Sequence, residues 1–113
     1  MFGVRKDRIG HQLQQEIAAI IQRELKDPRL GFVTITRVEL SSDLSHAKVW
    51  YSCLGGEKER QDSQAALDHA AGFVRGLVKK RFRLKIIPDL VFRYDESIAQ
   101  SLEISRKLDE LKP

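Results

Sequence analysis

The sequence predicts an α+β domain in which helices cover one face of a three-stranded mixed sheet. Three observations point there. Ile9, Leu13, Ile17, Ile20 and Ile21 recur at three- and four-residue intervals, the period of an amphipathic helix. Two alternating runs, from Phe32 to Leu40 and from His46 to Leu54, flank the turn residues Ser41-Ser42-Asp43 and predict a hairpin. A third alternating run, Leu90, Phe92 and Tyr94, follows a helical stretch, and a strand–helix–strand connection favours parallel pairing.

The first helix is expected from about Lys6 to Leu25, with Asp7 as its N-cap. Asp27-Pro28 stops it, because Pro28 has no amide to donate and forces Asp27 out of helical geometry. In the first strand the alternation slips: Val33 and Ile35 share one phase, Val38 and Leu40 the other. A bulge near Thr36-Arg37 returns both pairs to the core face. In the second strand Ala47, Val49, Tyr51 and Cys53 face one way, and Lys48, Trp50 and Ser52 the other. Trp50 and Tyr51 therefore lie on opposite faces, and Cys53 reads as a buried, inert thiol. After a polar loop from Gly55 to Ser63 come two helical patterns, one through Ala65, Ala66, Leu67, Ala70 and Ala71, the other through Phe73, Val74, Leu77 and Val78. Glycine inside a helix costs about 1 kcal/mol relative to alanine. A kink or helix–helix junction at Gly72 is the simplest account, with Ala70 and Ala71 leaving room for close packing. Gly72→Val is then expected to lower stability and, with it, any binding that depends on the fold. Ser97 with Gln100 resembles a capping box, and Ile98, Leu102, Leu108 and Leu111 suggest a short C-terminal helix.

A chain of 113 residues fits one domain, expected to span 1–113. With 42% hydrophobic and 32% charged residues it has the composition of a folded protein, not of a disordered chain. No apolar run approaches the roughly 20 residues of a membrane span, and Met1 to Lys6 contains no apolar signal core. Cys53 is the only cysteine, so an intramolecular disulfide is excluded and a cytoplasmic location is expected.

The charge is localised. Between Phe73 and Ile87 lie Arg75, Lys79, Lys80, Arg81, Arg83 and Lys85, with no acid among them. Of the 20 Lys and Arg residues, 14 remain elsewhere, against all 16 Asp and Glu, so the segment carries +6 and the rest of the chain −2. Such a segment suits a polyanion. A helix starting at Phe73 would place Arg75, Lys79 and Arg83 on one face, opposite Val74, Leu77 and Val78, with Arg81 on the apolar side. The bland alternative is a solvated helix face, but stabilising faces usually mix both signs. Arg5, Lys6 and Arg8 form a smaller basic group that could pair with phosphate. The Lys26 to Gly31 string reads first as a helix stop and turn, with Arg29 or Lys26 as a further candidate for contact with a polyanion. Gly55-Gly56 lacks the Lys-Ser/Thr of a phosphate loop. His11, His46 and His69 show no ligand spacing, so neither a metal nor a cofactor is expected.

Several strings carry a family resemblance: Lys26-Asp27-Pro28-Arg29-Leu30-Gly31, Val38-Glu39-Leu40-Ser41-Ser42-Asp43-Leu44 leading to Ala47-Lys48-Val49, Ala70-Ala71-Gly72-Phe73-Val74-Arg75, and Arg83 to Phe92 leading into Tyr94-Asp95. Together, in this order, the chain resembles the ribosome-binding factor A family. The resemblance implies a type II KH-like fold, α-β-β-α-kink-α-β with a short C-terminal helix. It implies a non-catalytic assembly factor that binds the small ribosomal subunit, its rRNA and adjacent ribosomal proteins late in maturation, with a link to cold adaptation. It also implies that Ala70-Ala71-Gly72 replaces the Gly-x-x-Gly loop with which ordinary KH domains clamp nucleic acid. A monomer without membrane association is expected. Two other functions are weighed: an RNA-processing enzyme, which needs an acid/base or metal constellation, and a basic protein-interaction adaptor, whose complex would survive RNA digestion.

Overall fold

The computed structural model describes residues 2–97, and side chains from Arg5 onward. The element order is α1 (Phe2–Glu24), β1 (Val33–Leu40), β2 (His46–Cys53), α2 (Glu57–Arg81) and β3 (Asp89–Tyr94). The sheet order is β1-β2-β3, with β1 antiparallel and β3 parallel to β2. This is the α+β architecture with a mixed sheet that the periodicities predict. The C-terminal helix expected through Ile98, Leu102, Leu108 and Leu111 lies outside the described residues.

Each face follows from its residue pattern. Ile9, Leu13, Ile17, Ile20 and Ile21 of α1 are buried, as are Ala66, Leu67, Ala70, Val74 and Val78 of α2. They meet Ile35, Ala47, Val49, Tyr51, Leu90 and Phe92 on the sheet. The bulge falls where the phase slip predicts it: the β1–β2 register shifts between Ile35 and Arg37, so Thr36 is the extra residue. Ile35 and Leu40 are thereby both buried. Tyr51 is fully buried, and its hydroxyl donates to Gln64 Oε1, which satisfies the one polar atom of that ring. Burial pushes its pKa up to about 12. Two helix glutamines reach the outer strands. Gln14 Nε2 donates to the Thr36 carbonyl at 3.2 Å, and Gln64 Nε2 to the Phe92 carbonyl at 2.9 Å.

Four sequence expectations need correction. The polar loop expected from Gly55 to Ser63 ends at Gly56, because α2 already begins at Glu57. Asp7 is not the N-cap of α1, because the helix already begins at Phe2. Cys53 is half-buried rather than fully buried, although partial burial still raises its thiol pKa. The two helices expected to meet at Gly72 are one uninterrupted element of 25 residues running through Ala70, Ala71 and Gly72. Ala70 packs into the core, as a small inward residue should. Gly72 is exposed, and a Cβ there would meet nothing within 4 Å. A packing role for Gly72 is therefore overturned, and the helix carries its glycine at full conformational cost. Gly72→Ala is expected to raise stability by about 0.5–1 kcal/mol, read as a small rise in Tm, and not to lower it. The glycine that the fold does require is Gly55. Its φ of 112° is left-handed, and a Cβ there would lie 2.7 Å from Glu59 Cγ. That turn lets the Gly56 amide donate to the Glu59 carboxylate at 2.8 Å at the start of α2.

Candidate nucleic-acid interface

The acid-free segment spans the end of α2 and the connection to β3. Helix α2 ends at Arg81, and Phe82 is extended at φ −118° and ψ 143°, its amide donating back to the Val78 carbonyl. Lys79, Lys80 and Arg81 occupy the last turn, where the carbonyl end of the helix favours cations. Because the helix stops there, Arg83 is not on the face that helical spacing assigned to it.

The six basic residues of the segment divide by what they touch. Arg75 turns inward: Nη2 donates to the Ile87 carbonyl at 3.0 Å, and Nε lies 3.2 Å from Asp89 Oδ1 without the alignment of a hydrogen bond. It ties α2 to the start of β3. Arg81 is held by Glu16 and Glu24 of α1, which raise its pKa, and so clamps α2 against α1. The predicted row of Arg75, Lys79 and Arg83 is thus dispersed, and the structure gives Arg75 and Arg81 structural partners. Lys79, Lys80, Arg83 and Lys85 are exposed, and among the described residues none of them forms an ion pair.

The smaller basic groups behave differently from each other. Arg5 and Arg8 are exposed and Lys6 is half-buried, all within the first turns of α1. Arg5 and Lys6 line a cavity of about 470 Å³ together with Lys85, so two basic groups far apart in sequence converge. Its remaining walls are Ile9, Ser42, Asp43, Leu44, Leu84 and Ile86. Arg29 is different. Its guanidinium grips Asp27, Nε to Oδ1 at 3.1 Å and Nη2 to Oδ2 at 2.7 Å, and its own amide donates to Oδ1 at 2.9 Å. The Lys26–Gly31 string is therefore a built turn with its arginine locally neutralised, while Lys26 stays exposed. Arg29 holds the Asp27 carboxyl down at about 2.

The β1–β2 turn is organised by Asp43. Its Oδ1 accepts from the Ser41 hydroxyl at 2.8 Å, the Ser45 hydroxyl at 2.7 Å and the Ser45 amide at 3.1 Å. These bonds favour the ionised form and bring its pKa to about 2. A lowered folded pKa stabilises the fold above the unfolded value near 3.9, and that stability is lost as pH falls through the folded pKa. Carboxyl NMR shifts of Asp43 are therefore expected to titrate near pH 2, and in Ser45→Ala closer to the ordinary range.

Sequence reasoning missed Leu44, Leu84 and Ile86 as part of this site. The available signal was their apolar character within or beside the basic and turn segments, where solvation alone would favour polar residues. It also left open how Trp50 is used. Trp50 is half-buried on the sheet face opposite the helices, with the Arg37 guanidinium 4.6 Å from its ring centroid. Among the described residues no group of three or more His, Cys, Asp or Glu side chains is placed to hold a metal ion, and no helix is long and apolar enough to cross a membrane.

A sequence profile of ribosome-binding factor A matches residues 5–108. A relative from Staphylococcus epidermidis bearing that name is 48% identical over 111 residues, 98% of this chain and 96% of its own. One from Nitrosomonas europaea is 44% identical over 94% of this chain and 91% of its own. Among solved structures, ribosome-binding factor A from Thermus thermophilus superposes with a TM-score of 0.71 at 30% identity, over 79% of this chain and 93% of that one. A homology model of the Thermus thermophilus factor, fitted into a cryo-EM map of its 30S complex, matches with a TM-score of 0.68 at 29% identity, over 81% of this chain and 97% of that one. With the predicted strings, the mixed sheet and a match over nearly the whole length in agreement, the chain belongs to the ribosome-binding factor A family.

Proposed function

We propose that this protein binds the small ribosomal subunit through its rRNA during late maturation, as a non-catalytic assembly factor. The observation that carries the reading is the basic end of the molecule: Lys79, Lys80, Arg83 and Lys85 are exposed, and Lys85 meets Arg5 and Lys6 around one groove. Cations without acidic partners suit phosphates, whose neutralisation releases counterions. The fit of a Thermus thermophilus relative into a 30S complex supports the choice of subunit. Binding alone suffices for such a role. A factor that binds an immature subunit more tightly than the mature one shifts the equilibrium between them by that difference. Adjacent ribosomal proteins complete the contact, the protein acts as a cytoplasmic monomer, and demand for it rises in the cold.

The test is sedimentation of a cell extract followed by detection of the protein in each fraction. It is expected with free small subunits, immature ones above all, and only weakly with translating ribosomes. An even spread over all particles, or no association with any, would sink the reading.

A further inference from the structure

The groove at the basic end holds more than charge. A surface that only neutralises phosphates needs cations, and apolar side chains placed among them stay in contact with water at a cost. Here Arg5, Lys6 and Lys85 share a cavity of about 470 Å³ with Leu44, Leu84 and Ile86. That volume lies within the roughly 300–1,000 Å³ of small-ligand sites. Ile86 is 50% exposed; a single exposed isoleucine is ordinary, but here it joins half-buried Leu44 and Leu84 in one apolar patch among the cations.

The turn beside it adds a second observation. Leu44 has φ 63°, and it is the one non-glycine residue with positive φ among the described residues. Glycine or asparagine would take this conformation with less strain. The turn itself is already held by the Asp43 carboxylate and by the Leu44 amide donating to the Ser41 carbonyl at 3.0 Å. What leucine adds is a side chain, half-buried against the core edge and forming one wall of the groove. Among the described residues Asp43 is the one acid lining the groove, and its Oδ1 is occupied by the three bonds from Ser41 and Ser45.

We propose that this groove seats one unpaired RNA base, its ring against Leu44, Leu84 and Ile86, with the flanking phosphates on Arg5, Lys6 and Lys85. The inference rests on the RNA-binding reading above and deepens it. A base in a duplex is stacked and paired, and cannot enter a concave apolar site, whereas a splayed base in a loop or single strand can. The groove therefore selects flexible or unfinished RNA over finished helix.

The experiment uses the full chain and two probes: a short single-stranded oligoribonucleotide, and a strand of equal length with every base removed. The phosphates are the same, so only the base differs. Taking part of the ring and of these aliphatic walls out of water, the wild type is expected to bind the base-bearing strand about tenfold more tightly. Ile86→Ser, a half-exposed loop change that leaves Tm nearly unaltered, should bring the two strands to near parity without changing the salt dependence. Lys85→Gln should flatten the salt slope for both strands by roughly 0.7 while keeping their ratio. Parity in the wild type, or an Ile86→Ser protein that keeps the tenfold ratio, overturns the base site while leaving the basic interface standing. Failure of both strands to bind overturns the underlying RNA-binding reading as well.

Discussion

Replacing Lys79, Lys80 and Arg83 together by glutamine is expected to weaken binding to small ribosomal subunits roughly a hundredfold near 0.1 M salt, with folding unchanged. The argument is counterion release. Each phosphate contact on single-stranded RNA contributes about 0.7 to the slope of log affinity against log salt, which near 0.1 M amounts to a factor of roughly five. Three lost contacts multiply to about a hundred and flatten the slope by about two. Folding should be spared because all three side chains are exposed and none forms an ion pair among the described residues. Surface changes of this kind usually move stability by no more than about 0.5 kcal/mol. Arg75→Gln is the informative contrast. It removes one positive charge from the same segment but also breaks the contact with the Ile87 carbonyl, so it should lower Tm while changing the salt slope by less than the roughly 0.7 of one phosphate contact. Subunit binding measured across a salt series decides the matter. An unchanged slope in the folded triple variant would return these residues to the role of a solvated helix end.

The largest effect on the fold is expected from Phe92→Ala. Phe92 is 1% exposed, in the centre of β3 beside Val49 of β2. Removing a buried phenyl ring costs about 3–5 kcal/mol, from lost transfer energy and the cavity left behind. Domains of this size typically have only about 5–15 kcal/mol in hand. A fall in Tm of about 15 °C or more is expected by calorimetry or circular dichroism. A shift of only a few degrees would mean that the sheet and α2 close over the gap, and that the contact between them is softer than its burial suggests.

How much of this was legible in the sequence depends on the range of the interaction. The α1 stripe, the hairpin, the third strand and the bulge at Thr36 follow from local periodicity, because each element must present its apolar residues to one core. The single course of α2 was missed. A glycine between two helical patterns signals a kink or junction, but the residues around it, Ala70 and Val74, are buried on the same side, and their packing overrides one glycine. The basic segment was also visible as charge, yet its division was not. Whether an arginine reaches a phosphate or a neighbour depends on partners distant in sequence: Glu16 and Glu24 for Arg81, Asp89 and the Ile87 carbonyl for Arg75. Arg29 was the exception, since its partner Asp27 is only two residues away. The groove of Leu44, Leu84 and Ile86 is assembled from two loops and the start of α1, which no local pattern brings together.

The glutamines that reach the outer strands have a consequence for how the protein behaves when crowded. A three-stranded sheet has two borders, and each is a template on which another chain could continue the ladder. In β1 the extra residue Thr36 breaks the regular spacing, and Gln14 occupies its carbonyl. In β3 Gln64 occupies the carbonyl of Phe92. A second molecule adding itself edge to edge would meet, on either side, a carbonyl that already has a donor and a helix side chain beside it. These two side chains thus act against polymerisation, and they do so from the helices, leaving the sequences of the strands free to serve the core.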